Sequence, residues 1–191
     1  LQDPLLIIQP PMLFFGYVFY AVVFSFVISG IFNKFNKGLI RILKVWSGIA
    51  WATLSVGILL GSMWAYYELG WGGYWFWDPV ENVALLPWLA GTAFTHSLIF
   101  HKNKVLMSWM VFLGILAFLL SVMGSFIVRS GIINSVHAFA SDPSRGVFLL
   151  SLFGLFSLVS FAIFFWKSEK LSSAWPQLNS KSYLILLNNI I

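Results

Sequence analysis

The chain of 191 residues contains no cysteine, and only 9% of its residues are charged. The absence of thiols excludes a disulfide framework, a thiolate metal site and a cysteine nucleophile. No Ser-His-Asp, metalloprotease or phosphate-loop pattern occurs, so those classes of enzyme are not indicated. Soluble domains carry about 25% charged residues, whereas this chain is 60% apolar. We therefore predict an integral membrane protein.

A single transmembrane domain over residues 1–191 is predicted, an all-α membrane protein built as a polytopic helix bundle. A helix needs roughly 20 apolar residues to cross the hydrocarbon core. The apolar runs predict five complete spans and the start of a sixth near Tyr183, at about 12–32, 45–64, 83–100, 105–128 and 145–166. The first is expected to begin after Pro10 and Pro11, because proline is tolerated in a first helical turn. Since a complete membrane protein should not end within a span, we expect a split-gene product or a fragment.

Charge is distributed unevenly between the two sides of this predicted topology. Nine of the eleven basic residues fall on one side, and five of the six acidic residues fall on the other. The positive-inside rule places the Lys-rich side in the cytoplasm or matrix, so the net charge of +5 indicates topology and not a nucleic-acid surface. We expect a multi-pass protein of the mitochondrial inner membrane or the bacterial cytoplasmic membrane. Residues 68–82 and 129–145 would then face the intermembrane space or periplasm.

Aromatic residues are concentrated in residues 68–82, which contain the run WGGYWFWDPVEN. Five of the ten tryptophans lie between residues 64 and 88, more than an interfacial aromatic belt requires. This density of indoles beside Gly72 and Gly73 indicates a surface that holds a flat aromatic ligand. The alternative is an interfacial re-entrant turn, in which Asp78 caps a helix and Glu81 completes a capping-box pair.

His96 lies inside the third predicted span, roughly 20 Å from its outer end. A titratable side chain at that depth is costly, and it indicates a functional site. Helical spacing places His96 on one face with Glu81, Leu85, Trp88 and Thr92. Two interpretations stay open: a helix-packing histidine bonded to a threonine or a carbonyl, and a ligand of a buried metal or heme iron.

His137 lies in the outer segment 129–145, where Arg129 and Arg145 flank it. Two guanidinium groups on that side would clamp the carboxylates of a ligand, or pair with acidic residues or phospholipid. A solvent-exposed loop histidine is the alternative for His137. Asp142 or the preceding serine is predicted to cap the fifth span.

The run WGGYWFWDPVEN strongly resembles the WWD signature of the heme-handling proteins of cytochrome c maturation. Its flanks resemble the CcmF type, the heme lyase subunit of the multi-component maturation system. These flanks are LQDPLLIIQPPMLFFGYV, PWLAGTAFTHSLIF, FIVRSGIINSVHAFASDPSRGVF and, more weakly, LNSKSYLILLNN. Together they extend over nearly the whole chain in the family's order. Family members are much longer, so the resemblance covers a central portion of the family only.

The resemblance implies a role for each matching position. His96 matches an intramembrane histidine that ligates a resident heme b, and His137 matches an outer-face histidine that ligates heme in transit. Arg129 and Arg145 would contact the heme propionates. The heme platform would consist of Trp71, Trp75, Trp77 and Asp78, supported by Gly72, Gly73, Tyr74, Glu81 and Asn82.

Two positions depart from the family pattern. Gln9 stands where the family has a second outer histidine, in an HPP motif, and an amide oxygen is a poorer ligand of heme iron than imidazole. Ligation of the transit heme by two histidines of this chain is therefore not expected. Tyr74 replaces a tryptophan of the signature but keeps an aromatic face. The second heme b ligand of the family lies beyond residue 191, so this chain would offer one axial ligand.

These expectations together define a function in cytochrome c-type biogenesis. As a component of a heme lyase assembly, the chain would bind heme on its outer face and present it to the CxxCH thiols of apocytochrome c. The resident heme b would reduce the incoming iron. The expected partners are other segments of the split lyase, a membrane-anchored heme chaperone, thiol-reducing maturation subunits, apocytochrome c and membrane lipid. A transmembrane heme transporter or exporter and a structural assembly subunit without catalysis are the alternatives.

Overall fold

The computed structural model describes residues 3–71, 73, 75–99, 106–135, 142–167, 171, 183, 184 and 187. This part of the chain forms five α-helices and no strand, so the predicted all-α class is confirmed. The helices are α1 (Leu5–Asn33), α2 (Lys37–Glu68), α3 (Pro79–Ile99), α4 (Met107–Ser130) and α5 (Pro143–Trp166). Most of the predicted start of a sixth span lies outside the described residues.

The predicted start of the first helix at residue 12 is wrong, because α1 already begins at Leu5 and contains Pro10 and Pro11. The missed start signal is Asp3, whose Oδ1 accepts a hydrogen bond of 2.7 Å from the backbone N–H of Leu5. Each proline removes one helical N–H donor. Helices in membranes tolerate such prolines where neighbouring segments satisfy the freed backbone groups.

The second helix also extends beyond the predicted residues 45–64. Asn36 caps its start, with Oδ1 accepting a hydrogen bond of 2.8 Å from Leu39 N. The predicted bounds enclose only the apolar part of the helix, which continues through polar residues at both ends. For α5, the predicted cap is confirmed, because Asp142 Oδ1 accepts from Ser144 N at 3.1 Å and Arg145 N at 3.3 Å.

Four of the described helices are long and apolar enough to cross a membrane, namely α1, α2, α4 and most of α5. A multi-pass membrane protein is therefore supported. The remaining helix, α3, is not among the four. Glu81, Asn82 and His96 lower the hydropathy of α3, so its crossing of the membrane stays a prediction.

The helices pack as a bundle in which α1 contacts both α2 and α4, and α3 contacts α2 and α4. Tyr20 and Phe94 are fully buried at its centre. Helices α1 and α2 approach closely, since a Cβ on Gly57 would lie 2.7 Å from the backbone of Leu13. Consecutive helices run in opposite directions, so the junction of α2 with α3 lies at the same end of the bundle as the end of α4 and the start of α5. The described parts of residues 68–82 and 129–145 therefore lie at one end.

Candidate functional site

Trp77 occupies an unusual backbone conformation in the connection between α2 and α3. Its φ of +58° lies in the left-handed region, which is costly for a residue with a bulky side chain. Its indole is 70% exposed. A strained and exposed aromatic residue persists only where its surroundings over-determine its conformation.

Two side chains from the first turn of α3 hold this conformation. Glu81 Oε2 accepts hydrogen bonds from the backbone N–H groups of Phe76 at 3.1 Å and Asp78 at 3.2 Å, on either side of Trp77. Asn82 Nδ2 donates to the carbonyl oxygen of Trp77 at 2.9 Å. We call these three bonds the Trp77 clamp. Glu81 of the predicted capping pair belongs to this clamp. Besides bonding to Asp78 N, as a capping pair requires, Glu81 fixes the backbone on both sides of an exposed indole.

Two aromatic contacts occur in the same connection as Trp77. Trp75 contacts it edge-on, with 6.3 Å between ring centroids and an interplanar angle of 89°. Trp71 packs against Phe76 at 4.5 Å and 51°. A Cβ on Gly73 would lie 3.7 Å from the Phe76 ring, an ordinary van der Waals contact, so this packing does not require a glycine. The predicted platform residues Gly72 and Tyr74 lie outside the described residues.

Beneath this connection lies a cavity of about 180 Å³ between α1, α2, α3 and α4 at the same end of the bundle. Gln9, Trp75, Glu81 and Arg129 all line it, although they are far apart in sequence. Glu81 is only 8% exposed, and within the described part of the chain its Oε1 has no hydrogen-bond partner. Gly61 makes space for the Gln9 side chain, because a Cβ on Gly61 would lie 3.1 Å from Gln9 Nε2. Gln9 therefore lies below the Trp-rich connection and faces the same cavity as Glu81.

The second outer segment is joined to the first through a side-chain contact. Ser135 Oγ donates to Asp78 Oδ2 at 2.6 Å, and the same Oδ2 accepts from Val80 N at 3.0 Å. His137, two residues after Ser135, lies outside the described residues. The contact nevertheless brings the chain immediately before His137 to the Trp-rich connection, as expected for residues that serve one site.

The two predicted arginines line one groove, between α1, α4 and α5. Arg129 belongs to the last turn of α4, whereas Arg145 is 70% exposed and pairs with Asp142 at 3.1 Å. A hydrogen bond from the Ser144 hydroxyl, then one from the Arg145 backbone, lowers the pKa of Asp142 below its usual value. Asp142 also donates its backbone N–H to the carbonyl oxygen of Arg129 at 2.9 Å.

His96 lies near the C-terminal end of α3 and is half-buried. Eighteen residues of mostly helical chain separate it from Asp78, a distance of roughly 25 Å. Among the described residues no hydrogen bond is made to its imidazole, so the predicted threonine bond is not formed there. Thr95 Oγ1 donates instead to Gly91 O at 2.9 Å.

One turn closer to the start of α3, this helix and α2 are joined by reciprocal hydrogen bonds that sequence reasoning missed. Trp51 Nε1 donates to Thr92 Oγ1 at 2.8 Å, and Trp88 Nε1 donates to Ser55 Oγ at 2.8 Å. The two indoles stack at 5.8 Å and 29°. We call Trp51, Ser55, Trp88 and Thr92 the indole clasp. The available signal was a tryptophan followed four residues later by a hydroxyl, present in both helices.

The fold and these features define a polytopic helical membrane protein with a clamped, tryptophan-rich connection at one end. The family model for cytochrome C assembly protein matches residues 1–133. The chain therefore belongs to the cytochrome c assembly protein family, and its resemblance to the CcmF type is confirmed.

Curated relatives match the whole chain. The cytochrome c-type biogenesis protein CcmF of Pseudomonas aeruginosa is 50% identical, and the chain covers 30% of it. CycK of Bradyrhizobium diazoefficiens is 47% identical with 29% covered, and CcmF of Escherichia coli K12 is 46% identical with 30% covered. The chain thus spans about 30% of the length of these relatives.

A solved structure, that of the cytochrome c heme lyase CcmF, has the same fold over 100% of this chain and 29% of its own, with a TM-score of 0.79. The two sequences are 24% identical. At 24% identity the similarity shows the fold alone. The arrangement of α1 to α5 is therefore that of a known family member.

Proposed function

We propose that this chain is a component of a heme lyase assembly for cytochrome c maturation. The observation that carries the proposal is the Trp77 clamp, which holds an exposed residue in a strained conformation with the Trp75 ring against it. Membership of the cytochrome c assembly family supplies the biological context. Its substrate would be heme, presented at the 69–78 connection to the CxxCH thiols of apocytochrome c.

The residues at this end of the bundle suit an amphipathic macrocycle. Trp77 offers an exposed aromatic face, and Trp75, set at 89° to it, would border the edge of a bound ring. Arg129 and Arg145 line one groove and would bind propionates through charge-assisted hydrogen bonds. Trp71, Asp78 and Gly73 complete the platform, with Gly72 and Tyr74 as its further members. Fixing the substrate near the incoming thiols is the main source of acceleration, because it converts encounter into an oriented reaction.

His137 is proposed as the iron ligand of this substrate heme. The Asp78–Ser135 bond supports that role, since it holds the preceding residues against the Trp-rich connection. Gln9 faces the cavity with Glu81, away from exposed Trp77. We therefore propose that Gln9 is not an axial ligand, and that another chain or the heme chaperone supplies the second one.

His96 is proposed as one axial ligand of a resident heme b, with the second ligand on another segment. The site fits this role, because the imidazole makes no hydrogen bond to a described residue and its helix face carries stacked indoles. When bound, such a heme supplies one-electron transfer to the substrate iron. The chain itself contributes the imidazole and the apolar helix surface around it.

The proposed orientation follows the charges. Lys34, Lys37 and Arg41 lie at the opposite end of the bundle from Asp78 and its neighbours. The positive-inside rule then places the Trp-rich end in the periplasm or intermembrane space, with α3 as a fifth span. Partners would be the remaining lyase segments, a membrane-anchored heme chaperone, thiol-reducing subunits and apocytochrome c.

Hemin titration of the purified assembly tests this function. Trp77→Leu should weaken hemin binding about tenfold, equal to about 1.4 kcal/mol, because a stacked ring is lost. Trp166→Leu is the matched control, since Trp166 is 73% exposed at the other end of the bundle. Equal affinities for both variants would place the substrate elsewhere, and no Soret shift in the wild type would favour a structural subunit.

A further inference from the structure

The indole clasp closes a ring of four hydrogen bonds between α2 and α3. Each indole N–H donates to the hydroxyl on the opposite helix. Each hydroxyl then donates to the carbonyl of the tryptophan four residues before it, Ser55 to Trp51 O at 2.7 Å and Thr92 to Trp88 O at 2.8 Å. Every polar side-chain group of the clasp is therefore satisfied, which is required where water is absent.

The arrangement follows from the sequence of the two helices. Both contain a tryptophan and, one turn later, a hydroxyl residue, and the helices run antiparallel, so each tryptophan meets the other helix's hydroxyl. The bonds fix the planes of both rings as well as the helix register. Trp46, on the same helix as Trp51, lies outside the clasp, and its ring packs against Phe19 at an interplanar angle of 48°. An indole bonded at its N–H and stacked on one face has little rotational freedom.

The clasp shares a helix face with His96. Thr92 precedes His96 by four residues and Trp88 precedes it by eight, so all three lie in one row along α3. Trp51 is bonded to Thr92 and remains 36% exposed. The rigid, partly exposed Trp51 ring is thus bonded to a residue one helical turn before His96. The His96 nitrogens bond to no described residue.

We infer that Trp51 is a contact residue for the planar ligand held by His96, and that Thr92 is the positioning residue that orients the Trp51 ring. This inference rests on the proposed function of His96. A macrocycle ligated by His96 extends beyond one helical turn, so it reaches Thr92 in the same row of α3 and the Trp51 ring that is bonded to Thr92. Groups that surround a ligating side chain adjust the affinity and the electronic state of the bound iron.

The test uses the membrane assembly that contains this chain, purified with its resident heme. Thr92→Val removes the acceptor for the Trp51 N–H at nearly constant volume, and Trp51→Phe keeps a ring without the N–H. Both should shift the Soret maximum and midpoint potential, and lower heme content per chain on the order of tenfold, as loss of an outer-shell partner does. Thr92→Ser should restore the wild-type values, and Trp46→Phe should leave them unchanged.

The outcomes separate this inference from the function it rests on. If His96→Ala keeps the heme spectrum, the proposed role of His96 fails. If His96→Ala loses the spectrum while Thr92→Val and Trp51→Phe keep wild-type Soret maxima and potentials, only the present inference is overturned. Failure of both clasp variants to accumulate in the membrane would also overturn it, since the clasp would then serve helix assembly alone.

Discussion

The hydroxyl of Ser135 donates a hydrogen bond of 2.6 Å to Asp78 Oδ2 across 57 residues of sequence. Through this bond the segment before His137 is joined to the Trp-rich connection. A hydrogen bond to a charged acceptor contributes about 1.5–3 kcal/mol. The relative position of the two outer segments therefore depends on a small serine that no motif singles out.

Replacing Ser135 should weaken the proposed substrate site without unfolding the bundle. We expect Ser135→Ala to reduce hemin affinity about tenfold, because the loss of about 1.4 kcal/mol releases the segment that carries His137. Soret titration measures this. Ser151→Ala is the control, since the exposed Ser151 hydroxyl donates to Val147 O within α5, and among the described residues it has no other partner. An unchanged affinity for Ser135→Ala would show that the two segments act independently.

The strain at Trp77 predicts that its glycine and alanine variants differ in stability but not in hemin binding. Glycine tolerates a positive φ, so Trp77→Gly should be more stable to unfolding than Trp77→Ala by about 1 kcal/mol. Both variants lack the indole and should bind hemin equally weakly. Thermal unfolding in detergent and hemin titration measure the two quantities. Equal stability of the two variants would mean that the conformation of Trp77 carries no strain.

Close packing of α1 on α2 should be sensitive to a single methyl group. Gly57→Ala places its Cβ against the backbone of Leu13, and overpacking of this kind costs about 1–3 kcal/mol. Gly48→Ala on the same helix is the control, because no atom lies within 4 Å of its Cβ position. Thermal unfolding should distinguish them. A loss of stability in the control as large as in Gly57→Ala would refute the packing argument.

The cap of α5 should depend on acid. Because the folded state lowers the pKa of Asp142, its contribution to stability is complete above the unfolded pKa of about 3.9 and is lost as the pH falls through the still lower folded value. Protection of the first turn of α5 from hydrogen exchange should therefore decrease in that acidic range. Asp142→Asn keeps an acceptor but does not titrate, so its protection should be independent of pH there.

Much of the architecture was predictable from the order of apolar and polar residues. The apolar runs predict all five helices, of which four are long and apolar enough to cross a membrane. The position before Pro143 predicts a cap at Asp142 or the preceding serine, and Asp142 is the one that caps α5. The predicted start of α1 is too late, because Pro10 and Pro11 indicate a helix that begins after them, whereas both lie inside the helix. The bond from Leu5 N to Asp3 Oδ1, about two turns earlier, rests on a weaker local signal.

The sequence by itself determined the membrane class, the alternation of charged ends and the density of tryptophans beside a carboxylate and an amide. These features depend on composition and on local spacing, which can be read from the sequence without knowing which residues are in contact. Only the tertiary structure decided that Glu81 and Asn82 clamp Trp77, that Gln9 faces Glu81 in one cavity, and that Trp51 meets Thr92. Helix register and rotation bring those residues together, and they are set by packing across the whole bundle.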